Sequence, residues 1–137
     1  GLLINENIVG TNIMSIAIGT DIVEIARIAE ILERQGERFI DRILSPSEKL
    51  QYQGHSDGVA FVAKRFAAKE AIAKALGTGI GHGVSFQDMV IGNDEKGAPF
   101  VELANGAAEV MQARGGQKML ISLADEREYA MAYAVLT

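Results

Sequence analysis

The stretch "RFAAKEAIAK", residues 65–74, decides how this chain is read. Wound as a helix, it places Glu70 four residues after Phe66 and three before Ala73, with Val62 close by. A carboxylate then sits among apolar positions, where desolvation makes an unpaired charge expensive. The apolar period predicts a long helix over about 59–76, with Gly77 as its stop. Outward from this helix, "SIAIG" (15–19) alternates as a short strand. From about Ile22 the period turns helical. Ile25, Ile28, Ala29 and Leu32 share one face, and the helix runs to Gln35 or, past Gly36, on to Ile43. Pro46, Gly54 and Gly58 punctuate a short helix and a loop. "FQDMVIG" and "FVELA" read as strands joined by "NDEKGAP", residues 105–114 as a helix, and "KMLISLA" and "EYAMAYAVL" as a final strand pair. The fold class is therefore α+β: one compact domain with long helices packed on a mostly antiparallel sheet.

The 137 residues suit a single domain with a proper core. A net charge of −5 argues against a general nucleic-acid binder, and no apolar run is long enough for a membrane span. With no cysteine, disulfides, thiolate metal sites and cysteine nucleophiles are excluded. Residues 1–13 lack a signal-peptide pattern and read as an extension preceding a domain over 14–137, because Met14 opens the cleaner "MSIAIGTDIVEI".

Two carboxylates invite a chemical reading. Asp21, at the expected handover from strand to helix, has a simple role as an N-cap, with Glu24 three residues on completing a capping-box pattern. Glu70 has one too, as the i, i+4 partner of Lys74. The alternative joins them: two hard oxygen ligands from separate elements suit Mg²⁺, which keeps several waters and takes further ligands from substrate phosphates. Lys64, Arg65, Lys69 and Lys74 supply cations on the same helix, and "GTGIGHG" (77–83) supplies glycines and backbone amides beside its end. That loop is neither a Walker loop nor a Rossmann fingerprint.

"GTDIVEIARI", followed 49 residues later (Asp21 to Glu70) by "KRFAAKEAIAKALGTGI", closely resembles the bacterial holo-acyl-carrier-protein synthase family of 4′-phosphopantetheinyl transferases. The resemblance runs from about Met14 to the C-terminus and includes "NDEKGAP" and "LADEREYA". It implies the 4′-phosphopantetheinyl transferase fold and a cytoplasmic, Mg²⁺-dependent enzyme of fatty acid biosynthesis. Such an enzyme moves the 4′-phosphopantetheine arm of coenzyme A to a serine of apo acyl carrier protein and releases adenosine 3′,5′-bisphosphate. By the same resemblance Asp21 and Glu70 are metal ligands and, with Lys74, the catalytic residues. Arg65 and Lys74 hold phosphate oxygens, and Gly77, Thr78 and Gly79 line the coenzyme A groove. A homotrimer with sites at subunit boundaries is implied as well.

Two positions depart from relatives. Larger members of the superfamily carry a third metal-binding acid where this chain has Val23. Many members of the family carry a histidine where this chain has Asp125. The two histidines here, His55 and His82, fall in loop-like stretches, and His55 reads as a surface residue.

The first long helix bears on the carrier partner. At 100° per residue Arg27, Arg34, Arg38 and Arg42 fall within about 80° of one another, provided the helix continues through Gly36. Such a stripe is either an ordinary solvated face or a docking surface for an acidic carrier. The resemblance favours docking, with Arg27 matching the family's docking arginine. Two other functions use the same residues: a Mg²⁺-dependent hydrolase of coenzyme A or a related diphosphate, and a non-catalytic carrier-binding module.

Overall fold

The computed structural model describes residues 16–137, so the expected boundary between extension and domain at residue 13 lies outside the described residues. The chain order is β1 (Ala17–Glu24), α1 (Ile25–Gln35), α2 (Glu37–Ile43), α3 (Pro46–Gln53), α4 (Gly58–Leu76), a 3₁₀ turn (Phe86–Asp88), β2 (Met89–Asn93), β3 (Pro99–Leu103), α5 (Asn105–Ala113), β4 (Met119–Asp125) and β5 (Tyr129–Leu136). Two antiparallel sheets result, one ordered β1-β5-β4 and the other the β2-β3 hairpin.

Helix α4 is the centre of the molecule. It is apolar nearly all round, as a helix packed on every side must be, and Ala63, Ala67, Ala68, Ala71, Ala73 and Ala75 are fully buried along it. The β1-β5-β4 sheet lies against it through the alternating inner residues Ala130, Ala132, Ala134 and Leu136 of β5. Small side chains on both surfaces let the layers approach closely. Gly19 shows how closely: a Cβ there would lie 2.1 Å from the Ala71 carbonyl oxygen and 2.7 Å from the Ala75 nitrogen.

Two expectations need correction. The first strand does not give way to helix at Ile22. It pairs with β5 through Glu24, opposite Tyr129, and places Asp21 opposite Ala132 in mid-strand. Asp21 therefore caps no helix. The cap position of α1 is Glu24, whose side chain makes no capping bond. The strand's continuation was hidden because outward Ile22 and inward Val23 are both apolar, which removes the period-two contrast there. For the first helix the sequence leaves two ends open; it stops at Gln35, and the continuation through Gly36 on which the single arginine stripe depends does not form. That residue takes φ +57° and ψ −130°, outside the helical region, and separates α1 from α2. Arg27 and Arg34 consequently lie on one helix and Arg38 and Arg42 on the next, so the single stripe is broken.

Helix α3 begins at the sequence "SPSE" with Pro46 at its first turn. The Ser45 hydroxyl accepts from the Glu48 amide, and the Glu48 carboxylate accepts from the Ser45 amide. Gly77 closes α4 in a left-handed conformation, as its sequence predicts.

Candidate active site

Alternation along β1 turns Ala17, Gly19, Asp21 and Val23 toward α4 and Ile18, Thr20 and Ile22 away from it. Asp21 thereby faces the part of α4 that carries Glu70 and Lys74. The Lys74 ammonium donates to Asp21 Oδ1 at 3.0 Å and to the Thr20 carbonyl at 2.9 Å. The expected Glu70–Lys74 pair is absent: among the described residues Glu70 makes no ion pair and accepts no side-chain hydrogen bond. Burial raises the Glu70 carboxyl above the usual carboxylate range, and the neighbouring Asp21 charge raises it further, against smaller opposing effects of Lys74 and Arg42.

Two half-buried carboxylates beside one ammonium, which pairs with Asp21 alone, leave a local negative charge. Hard oxygen donors so placed fit a divalent cation such as Mg²⁺ that completes its shell with water and substrate oxygens. The described residues hold no group of three or more metal-ligating side chains, so the pair is not an all-protein cage. Val23, where a third acid would stand, is buried in the core and cannot serve.

Arg65 is elsewhere. Nine residues separate it from Lys74, which is half a rotation and about 13 Å along the helix. Only 4% exposed, its guanidinium stacks 4.5 Å above the Phe61 ring and donates to Gln51 Oε1 at 3.0 Å. It lines a cavity of about 400 Å³ together with His55, Lys64, Asn93, Pro99 and Leu123. Lys64 pairs with Asp125 at 3.3 Å. His55, expected as a plain surface residue, is exposed yet forms part of this wall. The structure thus brings Asp21, Glu70 and Lys74 together and leaves Arg65 apart from them, in the wall of the cavity.

The glycine loop behaves differently from the expectation of free amides. The amides of Gly77, Thr78 and Gly79 donate back to Lys74 and Ala73 carbonyls of α4, and those of Gly81 and Val84 bond across the loop. Arg114, which sequence reading did not single out, lies against Gly77 and donates to the Ala75 carbonyl at 3.1 Å. Arg42 lies at the end of α2. Its guanidinium sits 5.4 Å above the Phe86 ring, near enough for its charge to act on Glu70.

The sequence model of the 4′-phosphopantetheinyl transferase superfamily matches residues 17–134. This chain belongs to that superfamily. It is 55% identical over 121 residues to a holo-[acyl-carrier-protein] synthase of Shewanella amazonensis, covering 88% of this chain and 97% of that protein. A synthase of the same name from Photorhabdus laumondii is 52% identical over 121 residues, covering 88% and 96% of the two chains. Among solved structures, a holo-[acyl-carrier-protein] synthase from Neisseria meningitidis superposes with a TM-score of 0.85 at 39% identity, over 90% of this chain and 99% of that one. One from Helicobacter pylori in complex with coenzyme A gives 0.78 at 38% identity, over 88% and 99%.

Proposed function

We propose that this chain transfers the 4′-phosphopantetheine arm of coenzyme A to a serine of apo acyl carrier protein, releasing adenosine 3′,5′-bisphosphate. The observation that carries the reading is the meeting of Asp21, Glu70 and Lys74 across the β1–α4 contact. Asp21 and Glu70 would hold Mg²⁺, whose chemistry there would be to offset negative charge on the diphosphate and on the departing phosphate. Lys74, fixed by Asp21 and the Thr20 carbonyl, presents its ammonium to the same oxygens. The serine oxygen forms a bond to the β-phosphorus as the bond from that phosphorus to the bridging oxygen breaks. The serine proton leaves toward the Glu70 carboxylate, directly or across one water.

Arg65, in its separate pocket, anchors a phosphate of the coenzyme A nucleotide. Gly77, Thr78 and Gly79 shape the groove by their backbone path, since their amides are already used in closing α4. Arg27 and Arg34 on α1 and Arg38 and Arg42 on α2 form the docking surface for an acidic carrier, on two short helices.

The assembly follows as a homotrimer with each site at a subunit boundary. Two features support it: acids and Arg65 lie on opposite faces of α4, and the outer face of the β1-β5-β4 sheet exposes Ile18 (66%), Ile22 (62%) and Tyr133 (50%). The domain is taken to begin at residue 14. The cytoplasm and fatty acid biosynthesis are the setting this reading implies; no helix among the described residues is long and apolar enough to cross a membrane.

Intact mass spectrometry of apo acyl carrier protein incubated with coenzyme A and Mg²⁺ tests the reading. One added phosphopantetheine with wild type, absent without Mg²⁺ and with Glu70→Gln, is the expected result. Cleaved coenzyme A beside an unmodified carrier would replace transfer with hydrolysis. No change in either substrate would leave a binding module.

A further inference from the structure

Glu48 carries more than its helix cap requires. A capping-box glutamate needs one oxygen for one amide. This carboxylate is fully buried, and its Oε1 accepts from the Ser45 amide at 2.7 Å and from the Lys69 ammonium at 2.7 Å. Its Oε2 accepts from the Ile91 amide at 2.9 Å and lies 3.6 Å from Arg65 Nε. Lys69 is also fully buried, and its remaining protons go to the Ile43 and Phe86 carbonyls at 2.7 and 3.2 Å. The ammonium is thus satisfied without Arg65.

Arg65 is the surplus charge. One buried carboxylate faces two buried cations, and Arg65 Nε is the single buried side-chain polar atom without a hydrogen-bond partner among the described residues. Nε is charge-paired with Glu48 at 3.6 Å without a hydrogen bond, so it is the far end of the guanidinium, and not Nε, that is available to the cavity. The guanidinium is held on three sides, by Glu48 behind it, Phe61 beneath it and Gln51 at its edge. Its open side lines the 400 Å³ cavity, whereas Glu48 does not reach the cavity wall.

We propose that Glu48, together with Gln51, is the positioning pair that holds the Arg65 guanidinium in the cavity wall as a phosphate anchor for coenzyme A. The inference rests on the reading of Arg65 as that anchor. Glu48 sets the direction of the fork through its charge, Gln51 fixes the rotation of its edge, and Phe61 keeps its plane. A bidentate partner needs this orientation as well as the charge. An arginine free to turn would still attract phosphate but would not hold it in register with the distant acids.

The test compares wild type, Glu48→Gln, Gln51→Ala and Arg65→Met, in steady-state transfer and in calorimetric binding of coenzyme A. Glu48→Gln is expected to raise KM and Kd for coenzyme A about tenfold, and Gln51→Ala about threefold. In both variants kcat and KM for the carrier stay near wild type. In the Arg65→Met background neither change adds a further effect. Unchanged coenzyme A affinity in Arg65→Met would overturn the anchor and the proposal with it. Weakened affinity in Arg65→Met beside unchanged affinity in Glu48→Gln and Gln51→Ala would overturn the positioning role and leave the anchor standing. If Glu48→Gln does not fold, the exposed Gln51→Ala decides by the same criteria.

Discussion

The Lys74 ammonium reaches across to Asp21 Oδ1 at 3.0 Å and leaves Glu70, on its own helix, without an ion pair among the described residues. The choice sets the chemistry of the site. Asp21 is neutralised by the protein, whereas the Glu70 carboxylate is left for whatever enters from solution.

Lys74→Met removes the only ion-pair partner of Asp21 among the described residues. The pair is half exposed, so stability changes by no more than about 0.5 kcal/mol. Transfer falls about 100-fold or more, the loss expected when one stabilising donor is removed from developing charge. Equal losses of melting temperature and activity would assign Lys74 to the fold instead.

Glu70 gives a pH signature. Its carboxyl is raised in the folded protein, first by burial and then by Asp21. Between the ordinary carboxylate value and the raised one, the native state binds more protons than the unfolded state, so stability falls as pH rises through that window. Metal-free Glu70→Gln is accordingly more stable than wild type above the window, and the difference closes below it. Thermal melts of both proteins across the acid range measure this. Added Mg²⁺ competes with the proton and moves the acid limb of wild-type transfer to lower pH; an acid limb independent of Mg²⁺ would detach Glu70 from the metal.

Gly19→Ala addresses the contact beneath the site. Its methyl group would fall 2.1 Å from the Ala71 carbonyl oxygen, which belongs to the backbone and cannot swing aside. β1 must lift from α4, at about 1–3 kcal/mol by analogy with overpacked cores. Asp21, two residues along the strand, shifts with it. Denaturant unfolding and transfer assays should therefore decline together. Full activity in the destabilised protein would show that the acids tolerate a looser contact.

Ile22→Asp or Tyr133→Asp places a charge on the outer face of the β1-β5-β4 sheet, where both native residues are more than half or half exposed. In a trimer using that face, either variant dissociates, and transfer is lost with assembly. Light scattering coupled to gel filtration reads the first effect directly. A variant that stays assembled would move the interface elsewhere.

Much of this was legible in the sequence. The α4 boundaries, the hairpin across "NDEKGAP" and the last strand pair follow from period and turn chemistry. That Asp21 and Glu70 come near one another was legible from the chemistry of two hard oxygen donors and from the family resemblance, although the cap reading of Asp21 competed with it. The missed parts share a physical cause. The end of β1 read as helix from Ile22 because outward Ile22 and inward Val23 are both apolar, which erases the period-two contrast there. The break at Gly36 depends on a positive φ that nothing in the flanking residues demands. The role of Glu48 was invisible because its second and third partners, Lys69 and Ile91, are distant in sequence. Only the "SPSE" cap could be read locally.

The alanine lining of α4 has an evolutionary reading. Sheet and helix meet through methyl groups and one bare glycine, so almost any enlargement along that contact is a clash. Lineages that adopt a new carrier or a modified coenzyme must therefore change at the rims, on α1, α2, the cavity lip around Asn93–Pro99 and the loop after Gly77. The axis itself stays frozen while its periphery drifts.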